Sequence, residues 1–218
     1  MAKKAKSTLI NMLLSLTAIA LVAAAALAFM NAITEKPIQT AKENKVNKAI
    51  ADVMKQVDEN GKTTDSITYK TLKDTIVYVG EKDEKGKYKD SVICHMAYTA
   101  EGEYAGAAVE AIDFNGFGGN LKVMVGFDKE GKVYGYSVLE SNETPGLGAK
   151  ANTWFQKGQK GEIIGKSPAT EAKGELRVTK DTRGDGTVDA ITGSTITSKA
   201  FLRCVNKAYT NLQTVLKK

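Results

Sequence analysis

Residues 9–33 of this chain carry no charged side chain: LINMLLSLTAIALVAAAALAFMNAI. About 20 apolar residues wound as a helix reach across the hydrocarbon of a bilayer. A cleaved signal peptide has a shorter apolar core, roughly 7–15 residues, ending at a small-residue cleavage site. Here the run is longer, and its alanine cluster continues into Leu27, Phe29 and Met30. The expectation is an uncleaved, single-pass anchor in the plasma or inner membrane. Lys3, Lys4 and Lys6 precede the run. By the positive-inside rule that end is cytoplasmic, and whatever follows Thr34 lies on the extracytoplasmic (periplasmic) side. A single span forms no ion channel by itself.

The remainder has the composition of a globular protein, with 26% charged and 42% hydrophobic residues overall. Basic residues number 31 against 25 acidic, and three of the lysines stand ahead of the apolar run. No dense basic stripe interleaved with aromatics remains, so nucleic acid is not an expected partner. Cys94 and Cys204 are far apart and outside any CxxC pair, which argues against a structural metal or a dithiol motif. Each is expected to be a small buried apolar residue, and spacing alone does not decide whether they pair. The single histidine, His95, sits inside a strand-like run and is expected to be a core or surface residue rather than a ligand or base. No Gly-x-Ser-x-Gly, P-loop or His-rich metal motif is present. Residues 181–186, Asp-Thr-Arg-Gly-Asp-Gly, superficially suggest a calcium loop. They lack the alternating oxygen ligands and the distal glutamate, and read as a turn near the site entrance. Neither catalytic side chains nor a metal are therefore expected.

Hydrophobic spacing divides the soluble part. Ile38, Ala41, Val46, Ala49, Ile50, Val53 and Met54 recur at helical steps, as either a spacer or a packed linker helix. Strands are expected at residues 75–79, 92–98, 104–114, 121–127 and 133–139, with charged turns at 81–87 and 128–131, and shorter strands at 175–179 and 187–191. Trp154 and Phe155 mark a short helix. Residues 195–217 form a last helix, with Ala200, Phe201, Val205, Ala208 and Leu212 on one face. The expected architecture is α+β: one N-terminal transmembrane helix, then one domain of antiparallel strands with flanking helices. The expected divisions are 1–34 for the cytoplasmic stub and anchor, 35–60 for the linker helix and 61–218 for the domain.

Two stretches carry chemistry. In Asp189-Ala190-Ile191-Thr192-Gly193-Ser194-Thr195, hydroxyls crowd around a glycine where the last helix begins. Glycine permits a sharp turn and close approach to a ligand, and the unpaired N–H groups of a helix start attract an anion. The same residue types are also ordinary N-caps. In Glu143-Thr144-Pro145-Gly146-Leu147-Gly148, followed by Lys150, Pro-Gly sets a turn between a strand and a short helix. A third stretch, Gly116-Phe117-Gly118-Gly119, reads as a backbone-packing turn rather than a ligand contact.

In their order along the chain, 116–119, 143–148 and 189–195, the three stretches resemble the signatures of the FMN-binding domain family. This family includes the G subunits of Rnf ion-translocating electron-transport complexes and their paralogues, the C subunits of sodium-pumping NADH:quinone oxidoreductases. Asp189, Thr192, Gly193 and Thr195 fit the family's flavinylation motif in register, while Ser194 stands where alanine is usual. The resemblance implies a covalent FMN, joined by a phosphoester to Thr195, with Ser194 and Thr197 as weaker alternatives. It implies cofactor contacts from Thr192, Gly193, Ser194, Glu143, Thr144, Gly146, Leu147 and Lys150, with Thr144 and Leu147 against the isoalloxazine. It also implies an electron carrier whose partners are the membrane and Fe–S subunits of an Rnf complex, matured by a flavin transferase. Such a complex couples electron flow between ferredoxin and NAD⁺ to Na⁺ or H⁺ movement. The alternative is the quinone-reductase paralogue. An anchored assembly subunit with an empty site would belong to a different class.

Overall fold

The computed structural model describes residues 9–54, 56–57, 63–64, 71–82, 88–170, 174–179 and 187–217. The lysines ahead of the apolar run, the turn at 83–87 and the Asp181–Gly186 stretch lie outside the described residues. The chain divides into two units, one ending at Lys45 and the other beginning at Val46.

The first unit is helical. It holds most of α1 (Leu9–Val53), which runs through Pro37 without a break. Its apolar side chains are uncovered: Leu9 is 86% exposed and Phe29 66%. Hydroxyls within the run bond back to the helix, Ser15 to the Met12 carbonyl and Thr17 to the Leu13 carbonyl. In a hydrocarbon surrounding, such internal satisfaction is what a polar group needs. By length and composition the helix is sufficient to cross a membrane. The helix ends at Val53 rather than near residue 60, and Gln56–Val57 (β1) instead pairs with Thr63–Thr64 (β2).

The second unit is built on a five-stranded antiparallel meander: β3 (Thr71–Lys82), β4 (Tyr88–Tyr98), β5 (Tyr104–Gly116), β6 (Gly119–Asp128) and β7 (Val133–Ser141), adjacent in that order. Alternation along each strand gives the sheet two apolar faces. On one face Val92, Cys94, Val109, Val123, Val125 and Phe127 meet Phe201, Cys204, Val205, Ala208 and Leu212 of α3 (Thr195–Leu216) in a continuous core. On the other face Ala97, Ala108, Met124 and Leu139 pack with Ala49, Ile50, Val53 and Met54. Gly126 and Gly135, paired across β6 and β7, admit the Val53 backbone there; a Cβ on Gly135 would stand 3.1 Å from the Val53 carbonyl oxygen. The apolar steps at 46, 49, 50, 53 and 54 are therefore core contacts of this unit rather than spacer residues.

His95 belongs to a charged row across that same face. Its Nδ1 lies 2.7 Å from Asp74 and its Nε2 3.2 Å from Glu110, which also pairs with Lys122. Burial opposes a charge on His95, yet hydrogen bonding to Glu110 and Asp74 outweighs it and raises the pKa above the ordinary value. Both cysteines are free and buried. Burial pushes the thiol of Cys94 to about 11 and that of Cys204 to about 12.

Beyond β7 the chain forms α2 (Ala151–Trp154). Tyr136 donates to the Ala151 carbonyl and accepts from the Phe155 amide, and Phe155 stacks on Phe201 at 4.1 Å. Trp154 Nε1 donates to the Asp189 carbonyl at 2.9 Å, which ties α2 to the stretch ahead of α3. The expectation of antiparallel strands holds for the meander, but the short pair β8 (Arg177–Thr179) and β9 (Thr187–Asp189) is parallel.

Candidate functional site

The site is assembled by two segments far apart in sequence. The first follows β7. The Thr144 carbonyl accepts from the amides of Leu147 and Ala149, closing a tight loop in which Gly146 has φ +76°. A one-turn helix at Gly148–Lys150 then leads into α2. The second is the start of α3. Ser194 N–H bonds to the Ile191 carbonyl, and Gly193 takes φ +76°. Ser198 Oγ accepts from the Ile191 amide and donates to the Ser194 carbonyl, pinning this turn. A Cβ on Gly193 would lie 3.5 Å from Leu147 Cδ2, so the two segments are in van der Waals reach.

Between them lies a cavity of about 370 Å³ walled by Phe117, Glu143, Thr144, Leu147, Gly148, Gly193, Ser194, Thr195, Ile196 and Thr197. Six of the expected site residues meet here: Thr195, Ser194, Gly193, Glu143, Thr144 and Leu147. Thr192, Gly146 and Lys150 are exposed beside it and do not line it. Sequence reasoning missed Ile196, gave Phe117 and Gly148 only turn-forming roles, and held Thr197 only as a weaker acceptor. Ile196 carried a readable signal: it repeats with Lys199 and Arg203 on the exposed side of α3, off the buried stripe. A larger cleft of about 640 Å³ runs along β7, lined by Asp52, Asp128, Lys132 and Glu162 among others. It contains none of the motif residues, so size alone does not mark the site.

The hydroxyls of the cavity are not equivalent. Thr197 is 1% exposed, and its Oγ1 donates to Glu143 Oε2 at 2.8 Å. Ser198 is fully buried and committed to the turn. Ser194 is the N-cap of α3 but makes no side-chain cap bond, and it is 8% exposed. Thr195 occupies the first helical position, partly buried on the cavity wall, with no hydrogen bond from its hydroxyl among the described residues. The first N–H groups of a helix lack intrahelical acceptors, so an anion beside Thr195 meets donors and the positive end of the dipole.

Glu143 is the other distinctive feature. It is 8% exposed, and its Oε1 is buried without a hydrogen-bond partner among the described residues. Glycines make the room for this carboxylate. A Cβ on Gly116 would lie 2.7 Å from Oε1, and one on Gly148 would lie 2.5 Å from Oε2. A buried acceptor left open is costly unless a donor reaches it. The cavity therefore offers an anion subsite at one end, an unfilled acceptor, and exposed apolar walls at Leu147 and Ile196. A phosphorylated, planar heterocycle with N–H and O–H donors fits that donor set. Among the described residues no cluster of His, Cys, Asp and Glu could hold a metal ion.

Residues 116–210 match the FMN-binding domain family. The G subunit of the Na⁺-translocating ferredoxin:NAD⁺ oxidoreductase complex of Acetobacterium woodii is 41% identical over 119 residues, covering 52% of this chain and 53% of the relative. The G subunit of the ion-translocating oxidoreductase complex of Aliivibrio fischeri is 36% identical over 132 residues, covering 61% and 60%. The chain thus spans somewhat more than half the length of these relatives. The crystal structure of Shewanella oneidensis NqrC overlaps 64% of this chain and 79% of its own, with TM-score 0.41 and 16% identity. The chain is thus similar, over residues 116–210, to the FMN-binding domain family and, over somewhat more than half its length, to the G subunits of ion-translocating oxidoreductase complexes.

Proposed function

We propose that this protein is the G-type electron-carrier subunit of a membrane-bound, ion-translocating ferredoxin:NAD⁺ oxidoreductase complex, and that it carries FMN covalently on Thr195. The observation that carries this reading is the cavity itself. At one wall an uncommitted threonine hydroxyl stands at a helix N-terminus, and at another lies a buried acceptor without a donor. Thr195, Ser194 and Gly193 would hold the phosphate end, while Glu143, Thr144 and Leu147 would meet the ring and its side chain. Thr192, Gly146 and Lys150 would flank the entrance. When bound, FMN supplies the redox chemistry, and the protein supplies orientation and electrostatics.

A phosphoester removes dissociation from the problem, which matters for a domain held outside the cytoplasm by its anchor. The division proposed is an anchor to about residue 34, a connecting segment to about residue 60 whose helix ends at Val53, and the flavin domain beyond. The first turns of the domain's cover then come from residues 46–54. A flavin transferase would install the FMN. Partners would be the other membrane and Fe–S subunits of the complex. The names of the A. woodii and A. fischeri relatives favour this assembly over the quinone-reductase paralogue.

The test is co-expression of the full chain with a flavin transferase, followed by in-gel fluorescence after denaturation. Wild type should fluoresce and Thr195→Ala should not, while both retain the same secondary structure by circular dichroism. A fluorescent Thr195→Ala band would refute the assignment of the acceptor. A colourless, non-fluorescent wild type would refute the carrier function and favour an assembly role.

A further inference from the structure

Phe117 is 70% exposed, yet it sits on a turn held by close packing and hydrogen bonds on both sides. The turn joins β5 to β6 and is fixed on both sides of the cavity. Gly118 packs so tightly on the Asn142 carbonyl that no Cβ could fit, and Gly116 packs on Gly119 and the Glu143 carboxylate. From α3, Arg203 donates Nε to Asp113 Oδ2 at 2.7 Å and Nη2 to Asp113 Oδ1 at 2.8 Å. Its Nη2 also reaches the Asn115 carbonyl at 3.2 Å, and Asp113 Oδ1 accepts from the Asn115 amide. The backbone before Phe117 is thereby tied to the helix that begins with Thr195. The backbone after it is tied to the strand that leads into Glu143.

Folding gains little from an exposed aromatic ring at such a place, since burial is what makes phenylalanine stabilising. Turns ordinarily carry small or polar residues. The ring does have one neighbourhood on offer, the wall of the cavity that Thr195 and Leu147 also form. Aromatic faces prefer planar partners in offset or edge-on contact.

We propose that Phe117 is a cofactor-contact residue whose ring packs over the planar part of the flavin, and that Arg203 is a positioning residue acting through Asp113 and Asn115. This inference rests on the reading that the cavity holds FMN. It assigns the glycine-flanked turn a ligand contact where the sequence suggests only backbone packing.

The test uses the full chain in detergent, loaded with covalent flavin. Iodide quenching of flavin fluorescence and the visible circular dichroism of the flavin band report shielding and asymmetry of the ring. Phe117→Ala should raise the iodide quenching constant and weaken the visible dichroism. Phe117→Trp should quench the flavin emission, because an indole in contact is an efficient electron donor to it. Arg203→Lys should shift both signals in the direction of Phe117→Ala, by less. The far-ultraviolet spectrum should stay unchanged, as expected for an exposed side chain. Unchanged quenching and dichroism in both Phe117 variants would overturn the proposal. So would unchanged flavin signals combined with loss of co-purifying subunits, which would make Phe117 a partner contact instead. A wild-type protein without flavin would sink the cofactor reading itself, a result distinguishable from either.

Discussion

Replacing Thr197 by valine separates two roles that its position at the start of α3 confounds. The side chain is 1% exposed, and its hydroxyl donates to Glu143 Oε2 at 2.8 Å, while Glu143 Oε1 has no partner among the described residues. Valine keeps the shape and removes the donor, so the buried carboxylate loses this hydroxyl. A hydrogen bond to a charged group contributes about 1.5–3 kcal/mol. A domain of 150–250 residues shifts its melting point by about 2–4 °C per kcal/mol. Together these give an expected fall of roughly 3–12 °C for the full chain in detergent, followed by near-ultraviolet circular dichroism. Covalent flavin should survive, because Thr195 and not Thr197 is the exposed hydroxyl. An unchanged melt would show that the Thr197–Glu143 pair does not form. An unchanged melt with loss of in-gel fluorescence would make Thr197 the acceptor and overturn the reasoning.

Two other perturbations follow from the packing and the charged row. Gly148→Ala would drive a Cβ to 2.5 Å from Glu143 Oε2 and 2.8 Å from Thr197 Oγ1; overpacking of this kind costs about 1–3 kcal/mol, so the melting point and the flavin yield should fall together. His95 has a pKa raised above 6.5 in the fold, so its stabilisation is complete below that value and is lost as pH rises through the folded pKa. Glu110 is lowered below 4.5, so its share is present above 4.5 and lost as pH falls through its folded pKa. Thermal melts should therefore peak between about 4.5 and 6.5 on this account and decline on the alkaline side. His95→Asn should flatten that alkaline decline, and an identical pH profile in the variant would exclude the row as its cause.

Elements made by local pattern were legible. The β-branched runs around Val77, Val92, Val109, Val123 and Val138 became β3 to β7 in sequence order. The stripe through Phe201, Val205 and Leu212 became the buried face of α3. The motif residues Glu143, Thr144, Leu147, Gly193, Ser194 and Thr195 do converge on one cavity. What could not be read were contacts that depend on tertiary proximity. Glu143 and Thr197 meet across 54 residues, and His95 finds Asp74 and Glu110 on neighbouring strands. Nothing in the spacing of Gly126 and Gly135 announces that Val53 backbone will lie against them. The glycines around Phe117 describe the backbone correctly and say nothing of where the ring faces.

The proposed acceptor of the flavin phosphate is Thr195. Trypsin should release residues 184–199 of native, flavin-transferase-matured protein as one peptide. Fragmentation mass spectrometry should find it heavier by one FMN less one water, with the added mass on Thr195. An unmodified peptide, or one carrying the added mass on another residue, would contradict the assignment outright.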